Sequence, residues 1–184
     1  MNAVTIVGAG LAGCEAAWQL AKRGIRVKLI EMKPACYSPA HQSPDFAELV
    51  CSNSLKAEHL TNASGLLKAE MEKLGSLTVE TAKKVRVPAG AALAVDRGMF
   101  AKEITRVISQ NPLIEVERRV VGEIPTSPAI IATGPLTHDE LARDIARRTG
   151  HDSLRFFDAE APIVAYESID MSVAFRASRY GKGD

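Results

Sequence analysis

Residues 4–13 read Val-Thr-Ile-Val-Gly-Ala-Gly-Leu-Ala-Gly, a short apolar strand running straight into G-x-G-x-x-G, and this junction constrains the chain more than any other feature. Each glycine has its own task. Gly8 permits a tight turn off the strand, Gly10 lets backbone amides approach a diphosphate, and Gly13 lets the following helix lie close to the sheet. That helix offers unpaired N–H groups and a partial positive charge to phosphates. Glu31 ends a second apolar run, Val27-Lys28-Leu29-Ile30, 18 residues after Gly13. A carboxylate there accepts hydrogen bonds from ribose hydroxyls and repels a ribose phosphate, so FAD or NAD is expected rather than NADP. Glycines alone would equally fit a plain turn. Strand, helix and acid in register predict a dinucleotide pocket formed by Gly8, Ala9, Gly10, Leu11, Ala12, Gly13 and Glu31.

Between these two runs, residues 11–23 predict a helix whose alanines suit close packing on a parallel sheet, with Gly24 just past its end. The result is a right-handed βαβ unit. Periodicity fails over residues 33–61, where Pro34, Pro39 and Pro44 interrupt; residues 45–50 are expected to form a short helical piece. A connection this long with Tyr37, His41, Phe46 and Cys51 in it favours function. Residues 65–74 predict an amphipathic helix stopped by Gly75, and residues 85–87 and 91–95 short strands. Asp96 is an N-cap candidate for a helix over 99–109. Strands follow at 113–121 and 129–132, then a helix over 137–148 with Thr137 and Glu140 in capping-box spacing.

This alternation predicts an α/β fold, Rossmann-like, with a parallel sheet, over a dinucleotide-binding domain at 1–150. Residues 151–184, with possible strands at 156–158 and 163–166, read as the start of a second or inserted domain that is cut short.

The balance of 23 basic and 22 acidic residues leaves no overall field, so net charge does not predict nucleic-acid binding. Arg143, Arg147, Arg148, Arg155, Arg176, Arg179 and Lys182 read as a solvated helix face and ordinary surface arginines. No apolar run approaches bilayer-spanning length, and a cytoplasmic protein is expected. Cys14, Cys36 and Cys51 show no C-x-x-C spacing, so neither a disulfide framework nor a zinc site is indicated. Cys14, in the first turn of the first helix, reads as a packing residue. Cys51 reads as well as a small buried hydrophobe as it does as a nucleophile, and the latter would need a lowered pKa or a nearby base, for which His41 and His59 are candidates by sequence distance.

The apolar strand, the glycine turn, the acid and a later strand ending Ala132-Thr133-Gly134 resemble the flavoprotein branch of two-dinucleotide-binding proteins. In that branch the last of these packs near the nucleotide, so Gly134 is expected to support FAD. More specific blocks are Gly8 through Ala17, Glu31-Met32-Lys33-Pro34, Val50-Cys51-Ser52-Asn53-Ser54-Leu55, Arg86-Val87-Pro88-Ala89-Gly90, Ala94-Val95-Asp96-Arg97 and Tyr166-Glu167-Ser168-Ile169-Asp170. Together they resemble the folate- and FAD-dependent tRNA (uracil-5-)-methyltransferases along nearly the whole chain.

The resemblance implies that methylenetetrahydrofolate gives a one-carbon unit to C5 of a uridine in the tRNA T-loop, that reduced FAD supplies electrons, and that NADPH or NADH reduces the flavin again. It also implies an active-site place for Cys51, either adding to C6 of uracil or shielding an intermediate. Asn53 and Ser54 either face flavin or base, or cap the next turn. Family members are longer, so catalysis by these residues alone is not expected. The other readings are methylation of ribosomal RNA, a related flavoprotein acting on the tRNA wobble uridine, against which the Val50 to Leu55 and Arg86 to Gly90 blocks argue, and a nucleotide-binding module without turnover.

Overall fold

The aliphatic runs at the start of the chain pair as anticipated: β1 (Val4–Val7) lies beside β2 (Val27–Glu31), in register from Val4 opposite Val27 to Val7 opposite Ile30. They form the centre of a four-stranded, all-parallel sheet, flanked by β6 (Ile114–Arg118) beside β2 and β7 (Ala129–Ile131) beside β1, in a computed structural model that describes residues 3–151 and 166–175. The helix α1 (Leu11–Lys22) crosses from β1 to β2 and buries Gly13, Cys14, Ala17 and Ala21. Its small side chains let it sit low on the strands. Gly24, at φ +75°, turns the chain out of the helix.

Between β2 and the outer strand of the sheet the chain builds a second layer. A three-stranded antiparallel sheet of order β3-β5-β4 comprises β3 (Ser54–Ala57), β4 (Arg86–Val87) and β5 (Ala92–Val95). The helices α2 (Ala63–Lys73) and α3 (Leu77–Lys84) lie between β3 and β4 in sequence. The helix α4 (Arg97–Ser109) then leads to β6 (Ile114–Arg118), and β7 (Ala129–Ile131) to α5 (Asp139–Thr149). The main core joins both layers, with Ile6, Leu29, Phe46, Leu93, Val95, Phe100, Ile104 and Ile108 fully buried. Asp96 accepts the Met99 N–H at 2.8 Å, so the expected N-cap forms and α4 starts two residues earlier than the pattern suggested.

Several expectations are corrected. Residues 45–50 form no helix: Phe46 N–H bonds Thr105 Oγ1 at 2.8 Å and Ala47 N–H bonds Ala9 O at 2.9 Å, so the donors a helical turn would use are spent on distant partners. The second sheet is antiparallel, so the parallel sheet is only part of the β-structure. Both β3 and α3 lie where no element was expected. The Thr137 capping box does not form. Its hydroxyl donates to Gly134 O at 2.8 Å and pairs with Thr133 Oγ1, and the N-cap position falls to His138. In α2 the expected helix is present, but Leu66, Leu67 and Leu74 are exposed while Gly65 is buried. Tyr166–Ser168 is a 3-10 turn, and the rest of both strands expected after 151 lies outside the described residues.

Candidate nucleotide site

The site lies at the carboxyl ends of β1, β2 and β7, where the chain leaves β1 toward β2 on one side while β7 pairs on the other. Such a switch point opens a crevice above the strands. A Cβ on Gly13 would collide with the Gly8 carbonyl oxygen, and one on Gly8, itself at φ +99°, would lie 2.7 Å from Ala132 O. Both close approaches hold the turn against the sheet. A Cβ on Gly10 would meet no protein atom within 4 Å, because it faces the open cleft. The first turn of α1 has no side-chain cap, which leaves its amides for a ligand.

The cleft is about 290 Å³, at the small end of ligand sites. The glycine turn forms one wall and Ile30 to Lys33 another, with Arg119 to Val121, Thr133 to Leu136 and His138 closing the sides. Glu31 is buried here. Its Oε2 accepts the Ala9 N–H at 2.7 Å and its Oε1 the Lys33 N–H at 3.0 Å. Each oxygen keeps a lone pair for a ribose hydroxyl. Gly134, at φ +70°, stands across the cleft in the loop after β7. All of the glycine-turn residues named from sequence except Gly13, together with Glu31 and Gly134, therefore share one cavity; Gly13 supports it from behind.

The remaining wall is the long connection after β2. Lys33, buried, donates from Nζ to Asp45 O at 2.7 Å and to the Glu48 carboxylate at 3.2 Å. Glu48 also accepts the Gln42 and Ser43 N–H groups at 3.0 and 3.1 Å. Burial alone would raise its carboxyl, but those amides and the Lys33 ammonium outweigh burial and hold it below the usual range. Arg118 stacks 4.2 Å over the Phe46 ring and donates to Lys33 O and Pro44 O, which fastens the connection to β6. His41 lines the cleft with Nδ1 2.6 Å from Ser38 Oγ. Burial and the nearby Lys33 ammonium push its imidazole below the ordinary histidine value. His59 is exposed and outside the cleft, so the structure separates the two histidines that sequence left equal. His138 Nδ1 is buried without a hydrogen-bond partner among the described residues.

The cysteines divide by environment. Cys14 is fully buried, donates to Ala9 O at 3.3 Å, and its thiol is pushed up to about 12 by burial and by Glu31, so it is an inert packing group. Cys51 is exposed, which excludes the buried-hydrophobe reading. It follows Val50, a cleft residue, without lining the cleft itself. Asn53 donates to Val95 O at 3.1 Å, a tie to the end of β5, and Ser54 Oγ accepts the Lys56 N–H at 3.1 Å, a local turn contact. Lys33 was quoted from sequence only within the Glu31 to Pro34 block, and Glu48, Arg119 to Val121 and His138 were not singled out. Nothing in their spacing marks them, because distant contacts bring them together.

Among the described residues no helix is long and apolar enough to cross a membrane, and no cluster of three metal-ligating side chains occurs.

The parallel sheet, the glycine turn at its switch point and the acid ending β2 define an α/β protein of the Rossmann-like class. The chain belongs to the Glucose inhibited division protein A family, whose model matches residues 3–184. Among curated relatives, a methylenetetrahydrofolate--tRNA-(uracil-5-)-methyltransferase TrmFO of Geotalea uraniireducens (strain Rf4) is 63% identical over 98% of this chain and 42% of its own length. One of the same name from Desulfitobacterium hafniense (strain Y51) is 56% identical over all of this chain and, again, 42% of the relative. The chain thus spans about two fifths of the curated relatives it matches. Among solved structures, Aquifex aeolicus GidA aligns with a TM-score of 0.54 at 14% identity, covering 68% of this chain and 20% of that one, a likeness of fold.

Proposed function

We propose that the chain is the FAD-binding part of a folate-dependent tRNA (uracil-5-)-methyltransferase that forms 5-methyluridine in the T-loop. The observation that carries the cofactor is the open face at Gly10 beside the uncapped start of α1 and the buried Glu31, a cradle that a side chain would fill. Identity of 63% to a relative of that printed name supports the reaction. In the site, Gly8 to Ala12 would hold the diphosphate, Glu31 the ribose and Gly134 the opposite side, with Gly13 keeping α1 in place. Bound FAD, reduced by NADPH or NADH, supplies the electrons that turn the methylene of methylenetetrahydrofolate into a methyl group.

Cys51 is the catalytic residue of the proposal. Uracil C5 is a weak nucleophile until a group adds at C6, and an exposed thiol next to a cleft residue is suited to that addition. The partners are tRNA and folate, and a tRNA substrate puts the reaction in the cytoplasm.

The test exchanges residues 1–184 for the matching segment of the Geotalea uraniireducens relative and supplies methylenetetrahydrofolate, NADPH and unmodified tRNA. The exchanged protein should produce 5-methyluridine in the T-loop, and its Cys51→Ala form should keep FAD while losing turnover. A folded, flavin-loaded exchange without product rejects the reaction; full activity of Cys51→Ala rejects the thiol.

A further inference from the structure

The wall opposite the glycine turn is crowded with polar groups, and nearly all are already spoken for. Glu31 is bonded to two amides, Lys33 to Asp45 O and Glu48, and Glu48 to Lys33 and two amides. His41 differs. Its Nδ1 faces Ser38 Oγ at 2.6 Å, and among the described residues its Nε2 has no protein partner. Ser38 is buried, and its oxygen already accepts the Ala40 N–H at 3.3 Å. With the Ser38 hydroxyl donating to Nδ1, the acceptor it meets, the ring proton sits on Nε2, the arrangement assigned to this pair below. His41 lines the cleft and Ser38 does not, and Nε2 lies across the ring from Nδ1.

We infer that His41 is a ligand-binding residue of this cleft, with Nε2–H donating to an oxygen of the diphosphate in an adenosine diphosphate group seated on the glycine turn. The inference rests on the dinucleotide reading of the cleft. The diphosphate is then gripped from both sides, by backbone amides of the turn and by one imidazole from the loop wall. Ser38 acts as the positioning residue that fixes the tautomer. The charged groups around the ring are Lys33, Glu48 and Glu31, and burial together with Lys33 keeps it neutral at neutral pH. Neutral imidazole with Nδ1 filled donates only through Nε2, so the contact is directional rather than a diffuse attraction of charge.

The substitutions that test this exploit shape. In His41→Gln the side-chain amide nitrogen reaches the place of Nε2; in His41→Asn it stops near Nδ1; His41→Leu has no donor. Titration of the 184-residue chain with ADP, and separately with FAD, should show the Gln form within about 3-fold of the unsubstituted chain. The Asn and Leu forms should bind about 10- to 100-fold more weakly, the range for a hydrogen bond to a charged acceptor. Ser38→Ala, with the tautomer released, should fall between.

Imidazole nitrogen NMR of the unsubstituted chain gives a reading that no variant's folding affects: Nε2 protonated and Nδ1 bare, with the Nε2 signal moved by ADP and not by adenosine. A folded Leu form binding ADP as well as the unsubstituted chain, or a proton found on Nδ1, overturns the assignment while leaving the cleft reading intact. An unsubstituted chain that binds neither ADP nor FAD overturns both.

Discussion

Two glycines only three residues apart show how much a single position decides. At Gly13 an added Cβ would strike the Gly8 carbonyl, so Gly13→Ala should force α1 off the sheet and destabilise the chain by about 1–3 kcal/mol, read as a lower urea midpoint. An unchanged midpoint would mean the helix is free to shift. At Gly10 the same atom meets open space and the backbone is extended, so Gly10→Val should fold normally. Its methyl groups stand where a diphosphate approaches, and flavin absorbance should be lost. A yellow Gly10→Val chain of ordinary stoichiometry would move the diphosphate elsewhere. Both positions were legible as residues because glycine in this spacing has few other uses. His41 was marked only as a candidate base and Lys33 only inside a motif block, since their contacts come from Ser38, Asp45 and Glu48 folding back across the cleft.

At the scale of elements, what could be read depended on whether a segment's hydrogen bonds are local. β1, α1 and β2 are set by their own patterns, and their order and pairing follow. α3 was hidden because its support lies outside it: Ser76 accepts the Val79 N–H, and Glu15 of α1 accepts the Ser76 hydroxyl at 2.8 Å and the Thr78 N–H at 3.0 Å. β3 was hidden by its short, polar composition and irregular register. α5 shows a local pattern serving a remote end. Asp144, buried on its inner face, accepts the Ile124 N–H at 2.8 Å and pairs with Arg147 and Arg148, which ties the helix to the chain leading into β7. The Ile124 amide first, and then the arginines, hold this carboxyl below the usual aspartate value of about 3.9. Its stabilisation is therefore complete above that pH and is lost as pH falls through the lower folded value. Asp144→Asn should lower stability at pH 7 and make it less sensitive to acid below about pH 4. Parallel acid limbs for the two proteins would contradict the tie.

For the molecule as a whole, binding at one cleft should register as global stability, because its walls come from β1, α1, β2, the loop after β7, α5 and the connection after β2. FAD at about 100 times its dissociation constant should add about 2.7 kcal/mol. For a chain of this length that raises Tm by about 5–11 °C. Riboflavin, which lacks the diphosphate, should leave Tm unmoved, and an equal shift from it would argue against the glycine turn as anchor. Glu31 carries a different implication. The acid proposed to read the ribose also staples the glycine turn to the start of the long connection. Re-engineering this scaffold toward a phosphorylated ribose by a lone exchange of that carboxylate would therefore slacken the frame it was meant to retune. A successful redesign must first supply Ala9 and Lys33 with another acceptor.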